Sequence, residues 1–312
     1  MPVNSDLTEA QVREFFTTLS NWGKWGSKDQ FGALNYITLA KRAQAAALVR
    51  EGASVSMSLP LATQPGPDNP TPVMHLMVQT GAPGEASMVP VPYSADYFAI
   101  APHGLANTHL DALCHVFNQG KMYNGYPSSD VTAQGARNGA IDALKDGIIS
   151  RGVLIDIPKL KGREWLEPGE AISPADLEAA EKAGGFQVEE GDVLFVRTGR
   201  HARQKAKGQW DAFKDGMAGL GAVCLPWLHA RKVAALGSDG ASDVLPSGYE
   251  KMMLPIHAVT IVAMGIHLLD NCALDAVADA CATRSRWTFL SVVAPLVLVR
   301  GTASPVNPLA IF

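Results

Sequence analysis

Thr108-His109-Leu110-Asp111-Ala112-Leu113-Cys114-His115 puts two imidazoles and a carboxylate into an otherwise apolar stretch, and its spacing restricts how the backbone can run. Neutral imidazole and carboxylate are the usual ligands of Zn²⁺, and the same set accepts Mn²⁺. His109 and Asp111 stand at i and i+2, so an extended backbone points both to one side. Asp111 and His115 stand at i and i+4, which one helical turn brings to about 5–6 Å between Cβ atoms. A strand end or turn running into a helix at Asp111 would therefore converge all three groups. A straight strand from His103 to His115 would hold its ends roughly 40 Å apart. Pro102-His103-Gly104 and Asn107 supply the bend that could bring His103 in as a further ligand. Burying Asp111 among Leu105, Leu110, Leu113, Val116 and Phe117 without a cation or donors would be costly. The cluster favours a metal site over an incidental grouping.

Outward from this stretch the chain alternates strand and helix signals. Upstream, Asp6 followed by Leu7, Val12, Phe15, Phe16 and Leu19 reads as an amphipathic helix with an acidic cap. Thr38 caps a second helix that closes at Gly52. Between them, residues 22–35 form a Gly-punctuated loop carrying Trp22, Trp25 and Phe31. Val55, Met57 and Leu59 alternate with serines as a half-buried strand. Pro65–Pro72 is a loop, and strand character resumes over Val73–Thr80. Downstream, Val153–Ile157, Val193–Thr198 and Val233–Leu236 read as strands. Ser173-Pro174 opens a helix that ends at Gly184-Gly185. Leu254–Met264 and Leu274–Thr283 read as helices, and Thr288–Val299 as a final strand or strand pair. This order favours an α/β layered domain spanning 1–312, with residues 1–52 as an N-terminal helical extension.

The motif resembles that of the cyclase-family metal hydrolases, a group that includes bacterial kynurenine formamidase, isatin hydrolase and a dienelactone hydrolase. Their signature is His-x-Gly-Thr-His-x-Asp-x-x-x-His, and Thr108–His115 matches its second half residue for residue. Similar members carry segments like Trp25-Gly26-Ser27-Lys28-Asp29-Gln30-Phe31-Gly32-Ala33-Leu34-Asn35, Gly191-Asp192-Val193-Leu194-Phe195-Val196-Arg197-Thr198-Gly199 and Gly301-Thr302-Ala303-Ser304-Pro305-Val306-Asn307-Pro308. The resemblance implies a swivelling β/β/α fold: a mixed sheet, partly closed on itself, with flanking helices. It implies a divalent metal, Zn²⁺ or Mn²⁺, held by His109 and Asp111, with His115 as general base and acid. Two departures stand out. Leu105 occupies the place of the family's first histidine and Asn107 that of its glycine, which leaves His103 as the substitute ligand. Members of the formamidase type complete a second metal position with a histidine and a glutamate; here His257 and Asp270 are the nearest candidates, with aspartate in place of glutamate.

The expected activity is hydrolysis of an amide, lactam or lactone bond in a small molecule, aromatic ones included, with Trp22, Trp25 and Phe31 as candidate walls of an apolar pocket. A metal-stabilised binding protein without turnover and a metal-dependent cyclase or dehydratase are the alternatives. Asp239 and Asp243 border the site or serve turns; His75, His201 and His229 read as ordinary. Cys114 is a poor nucleophile candidate, because neighbouring side chains diverge on any regular backbone.

The net charge of −4 and scattered lysines and arginines give no basic stripe for nucleic acid. The four cysteines, with no C-x-x-C pair, read as reduced and buried. No apolar stretch is long enough to cross a membrane and no signal peptide is visible, which suggests a cytoplasmic protein. By resemblance, the assembly is expected to be a homodimer or homotetramer.

Overall fold

The computed structural model describes residues 7–85 and 90–312. Nine strands form one curled, half-barrel mixed sheet: β1 (Ser54–Ser56), β2 (His109–Asp111), β3 (Ile148–Asp156), β4 (Val193–Arg197), β5 (Ala235–Ser238), β6 (His267–Asp270), β7 (Thr288–Val293), β8 (Ala303–Pro305) and β9 (Leu309–Ile311). Their order is β1-β9-β7-β3-β4-β5-β6-β2-β8. β3, β4, β5 and β6 run parallel in the middle, and antiparallel strands close both sides. This is the expected α/β architecture with a partly closed mixed sheet.

Period-two alternation divides the core between the two faces of the sheet. Val153, Ile155, Leu194, Val196, Leu236 and Leu268 pack into one apolar cluster. Their strand neighbours Leu154, Val193, Phe195, Ala235 and Leu269 pack into another. Burial on both faces explains why these strands read as continuous apolar runs.

The helices cover this sheet. α1 (Glu9–Thr18) and α2 (Leu39–Ala46) are capped by Thr8 and Thr38, each accepting a backbone N–H through its side chain. The acidic cap expected at Asp6 lies outside the described residues; Thr8 closes a capping box with Gln11 instead. α3 (Pro174–Gly184) begins after the Ser173 cap and ends on Gly185 in the left-handed region. α4 (Pro255–Val259) continues as a π-helical turn over Thr260–Met264 and stops at left-handed Gly265. α5 is Asp275–Arg284. α2 packs on β3 and β7, and α1 packs on the turn Thr260–Met264.

Two local expectations change, and two short strands escape a sequence reading. The final strand stops at Val293, and Leu296, Val297, Leu298 and Val299 are an exposed apolar run instead. β8 and β9 are three residues each and include or follow a proline, too short for an alternation signal. The segment read as Val73–Thr80 is a strand over Met74–Gln79, but among the described residues it pairs only with Ala95–Ala99, in a two-stranded sheet separate from the large one, with Leu76, Val78, Tyr97 and Phe98 exposed.

Among the described residues, no helix is long and apolar enough to cross a membrane.

Candidate metal centre

His109 and Asp111 lie two apart on β2, so the extended backbone turns both side chains to one face. Antiparallel pairing sets His109 opposite Asp270 of β6, which brings a second carboxylate to that face. The chain then turns at once: the His115 N–H donates to the Ala112 carbonyl at 3.0 Å. No helix follows Asp111, and this tight turn does the work expected of one. His115 Nε2 comes to 3.9 Å from Asp111 Oδ2.

The upstream bend delivers His103. Gly104 takes a φ of +116°, and Asn271 Nδ2 donates to the carbonyls of Gly104 and Asn107, at 2.7 and 3.2 Å. The bend leaves His103 Nδ1 2.9 Å from Asp111 Oδ1 and stacks its ring on that of His115, centroids 3.7 Å apart. Leu105 points elsewhere, into an apolar cluster with Ala212, Met217, Ala241 and Leu245. His103 thus stands where the irregular motif left an opening.

His257, on α4, closes the far side of the centre. Its Nε2 lies 3.0 Å from Asp270 Oδ2 and 3.9 Å from Asp111 Oδ2. Asp111 therefore turns its two oxygens to two groups. Among the described residues, His103, His109 and Asp111 form one set of potential ligands, and Asp111, His257 and Asp270 form another.

Each of these imidazoles has its other nitrogen occupied. His109 Nδ1 is 2.9 Å from the Asn107 carbonyl; a carbonyl only accepts, so the proton sits on Nδ1 and Nε2 keeps its lone pair. His103 Nε2 meets Thr302 Oγ1 at 3.1 Å, and His257 Nδ1 meets Asp243 Oδ2 at 2.7 Å. Such outer partners orient metal-binding imidazoles.

The electrostatics point to a missing positive charge. Burial would raise the Asp111 carboxyl, but His103, His109, His115 and His257 outweigh it and hold it below the ordinary carboxylate range. Burial disfavours charge on His257 too, yet Asp270 and Asp243 carry it well above the usual histidine value. His115 is pushed down to about 4, chiefly by burial. Both oxygens of Asp111, Asp270 Oδ1 and His103 Nδ1 are buried with no hydrogen-bond partner. A fully buried carboxylate without donors is expensive, and a divalent cation is the ligand that this donor set would satisfy. The residues fit the metal.

A cavity of about 280 Å³ leads to the centre, with His115 and His257 in its lining and Phe16, Phe117, Met252 and Met253 along its walls. Trp22 lines an adjoining groove that shares Arg13, Phe16 and Asn118 with this cavity. Trp25 packs edge-on against Tyr36, and Phe31 lines a separate cavity with Leu34 and Ile37. His75 pairs with Asp96 on the two-stranded sheet of Met74–Gln79 and Ala95–Ala99. Cys114 is buried and its thiol is pushed up to about 12, mainly by burial. Asp239 accepts from the N–H groups of Thr198, Gly199 and Arg200. Sequence spacing gave no sign of Asn271 or Thr302, because their partners are more than 160 residues away.

The family model described as Putative cyclase matches residues 37–242. A solved structure described as a novel cyclase is 32% identical, covers 95% of this chain and 99% of its own, and superposes with a TM-score of 0.86. The chain belongs to the cyclase family. This cyclase-family chain also shares its fold with an isatin hydrolase bound to the product analogue thioisatinate, at 19% identity, TM-score 0.59, and coverage of 86% and 94% of the two chains. Isatin hydrolase A from Ralstonia solanacearum is likewise 19% identical, with a TM-score of 0.58 and coverage of 88% and 97%. No curated protein matches the cyclase-family chain.

Proposed function

We propose that this cyclase-family chain is a divalent-metal-dependent hydrolase that cleaves an amide, lactam or lactone bond in a small molecule with an apolar or aromatic body. The observation that carries this reading is Asp111: a buried carboxylate facing imidazoles on both sides with neither oxygen hydrogen-bonded. His103, His109 and Asp111 would hold one ion, Zn²⁺ or Mn²⁺, and Asp111, His257 and Asp270 a second.

A bound divalent ion supplies Lewis acidity, polarising a carbonyl and bringing the pKa of water from 15.7 towards about 7. His115 supplies proton transfer: it lines the cavity, its side chain is partly exposed, and its Nε2 faces the centre. It takes a proton at Nε2 and returns it to the leaving nitrogen or oxygen. The stacked ring of His103 holds it in that position. Phe16 and Phe117 wall the apolar part of the substrate, and Trp22 the outer end of the groove. The four buried free cysteines suit a reducing cytoplasm, and the exposed apolar side chains of the sheet of Met74–Gln79 and Ala95–Ala99 suit a homodimer or homotetramer.

The reading is tested by screening N-formyl aromatics, lactams and lactones. Turnover should vanish with a chelator and return with Mn²⁺ or Zn²⁺. His115→Ala should abolish turnover while metal content persists; a fully active variant would remove His115 from its role. Metal binding with no turnover of any compound would favour a binding protein, and ring closure of an open-chain substrate a cyclase.

A further inference from the structure

Asp243 belongs to the segment Ser238–Leu245 and is fully buried. Its carboxylate accepts three hydrogen bonds, all from two consecutive residues of α4. The Ile256 N–H donates to Oδ1 at 2.7 Å, the His257 N–H to Oδ2 at 3.1 Å, and His257 Nδ1 meets Oδ2 at 2.7 Å. The first two are N–H groups of an opening turn, which lack intrahelical partners. One carboxylate thus fixes both the backbone and the ring of His257.

The segment behind it is braced. Ser238 Oγ accepts from the N–H groups of Gly240 and Ser242 at 3.3 and 2.8 Å. The Leu220 N–H donates to the Ser242 carbonyl at 2.8 Å. Gly219 lies so close that a Cβ there would clash with the Asp243 carbonyl. Asp243 therefore has little freedom to follow His257; the ring must follow the carboxylate.

We propose that Asp243 is the positioning residue for His257, fixing both its backbone and its ring. It accepts the Nδ1 proton of His257 and so directs Nε2 at Asp270 Oδ2, 3.0 Å away, and Asp111 Oδ2, 3.9 Å away; with a metal on Nε2, the one proton left on the ring is the proton on Nδ1. A metal-bound imidazole carries one N–H, and Asp243, whose two oxygens already accept the Ile256 and His257 N–H groups, presents an acceptor to Nδ1. The consequence for metal binding rests on the two-ion reading above; the tautomer does not.

Asp243→Asn is nearly isosteric and separates the two. Its carbonyl oxygen in the place of Oδ1 can still accept from the Ile256 N–H, and its amide NH₂ in the place of Oδ2 then faces Nδ1 at the cost of the His257 N–H bond, which leaves Nδ1 as an acceptor. The ring proton then moves to Nε2, where it blocks a ligand position. Two measurements apply: titration of the metal-free protein with Zn²⁺, scored as ions retained per chain, and ¹⁵N-histidine spectra of the Zn²⁺-loaded protein. The expected result is unchanged affinity for the first ion and at least about tenfold weaker affinity for the second, with the His257 proton moved from Nδ1 to Nε2. Unchanged affinity for both ions in the variant overturns the proposal, as does a His257 unprotonated at Nδ1 in the unmutated protein. If the unmutated protein retains only one ion, the two-ion reading falls and the ring proton alone decides. Loss of the Nδ1 proton in the variant then upholds Asp243, and its retention refutes it. Should Asp243→Asn fail to fold, Gly219→Ala, which displaces the Asp243 backbone and leaves its carboxylate intact, is expected to weaken the second ion in the same way; unchanged binding there overturns the proposal.

Discussion

His103 Nδ1 lies 2.9 Å from Asp111 Oδ1, yet the two atoms are not aligned as a hydrogen bond. Both belong to the set His103, His109 and Asp111, whose ligand atoms lie close enough together to hold one metal ion. Adding Zn²⁺ or Mn²⁺ to metal-free protein should therefore stabilise it, by about 4 kcal/mol when the free ion is a thousandfold above its Kd. Thermal melts should show a rise in Tm of several degrees for the unmutated chain and none for Asp111→Ala. An unmutated chain whose Tm ignores both ions would remove the metal centre.

The exchange of His103 for the expected histidine at 105 is a matter of direction, so the two positions should not be interchangeable. His103→Leu is expected to weaken the first ion at least about tenfold. Leu105→His places an imidazole among Ala212, Met217, Ala241 and Leu245 and should cost about 2–4 kcal/mol of stability. The double variant should recover neither property in metal titration or urea unfolding. Recovery of metal affinity would show that the segment can re-register.

His267 is buried on β6, and burial is the main force holding its ring down at about 4, below the usual 6.5. Between those values the unfolded chain binds a proton that the folded protein refuses. The stability from this site is whole above pH 6.5 and is lost as pH falls toward 4. A shift of that size corresponds to about 3 kcal/mol. Urea unfolding of metal-free protein at pH 4.5 and 7 should show a smaller acid loss for His267→Leu than for the unmutated chain. Equal losses would clear His267 as a source.

Gly32 sits at φ +59°, and a Cβ there would clash with the Gly265 carbonyl, to which the Ala33 N–H donates at 2.7 Å. Gly265 ends the helical run that carries His257. Gly32→Ala is expected to cost about 3 kcal/mol or more through strain and the broken contact, read as a lower urea midpoint. A midpoint within error of the unmutated chain would show that the loop has room to shift.

Local spacing carried the heart of the centre, because His109, Asp111 and His115 are joined by a strand step and one turn, and both obey short-range geometry. The caps at Thr38 and Ser173 were legible for the same reason. Resemblance added the partly closed sheet, which no periodicity in this chain could supply.

What remained belonged to tertiary structure. Spacing could not decide that the link from Asp111 to His115 is a turn and not a helix, since either brings the side chains near. It could not rank His103 against Leu105, because that choice is made by the bend at Gly104 and the grip of Asn271, a residue far along the chain. Nor could it separate Asp243 from an ordinary turn aspartate: its three donors lie 13 and 14 residues away on another element. The sequence by itself determined which side chains could bind a metal. Only the folded sheet decided that His257 and Asp270 reach the same carboxylate as His103 and His109, because that meeting depends on strand order and long-range hydrogen bonds that have no local period to read.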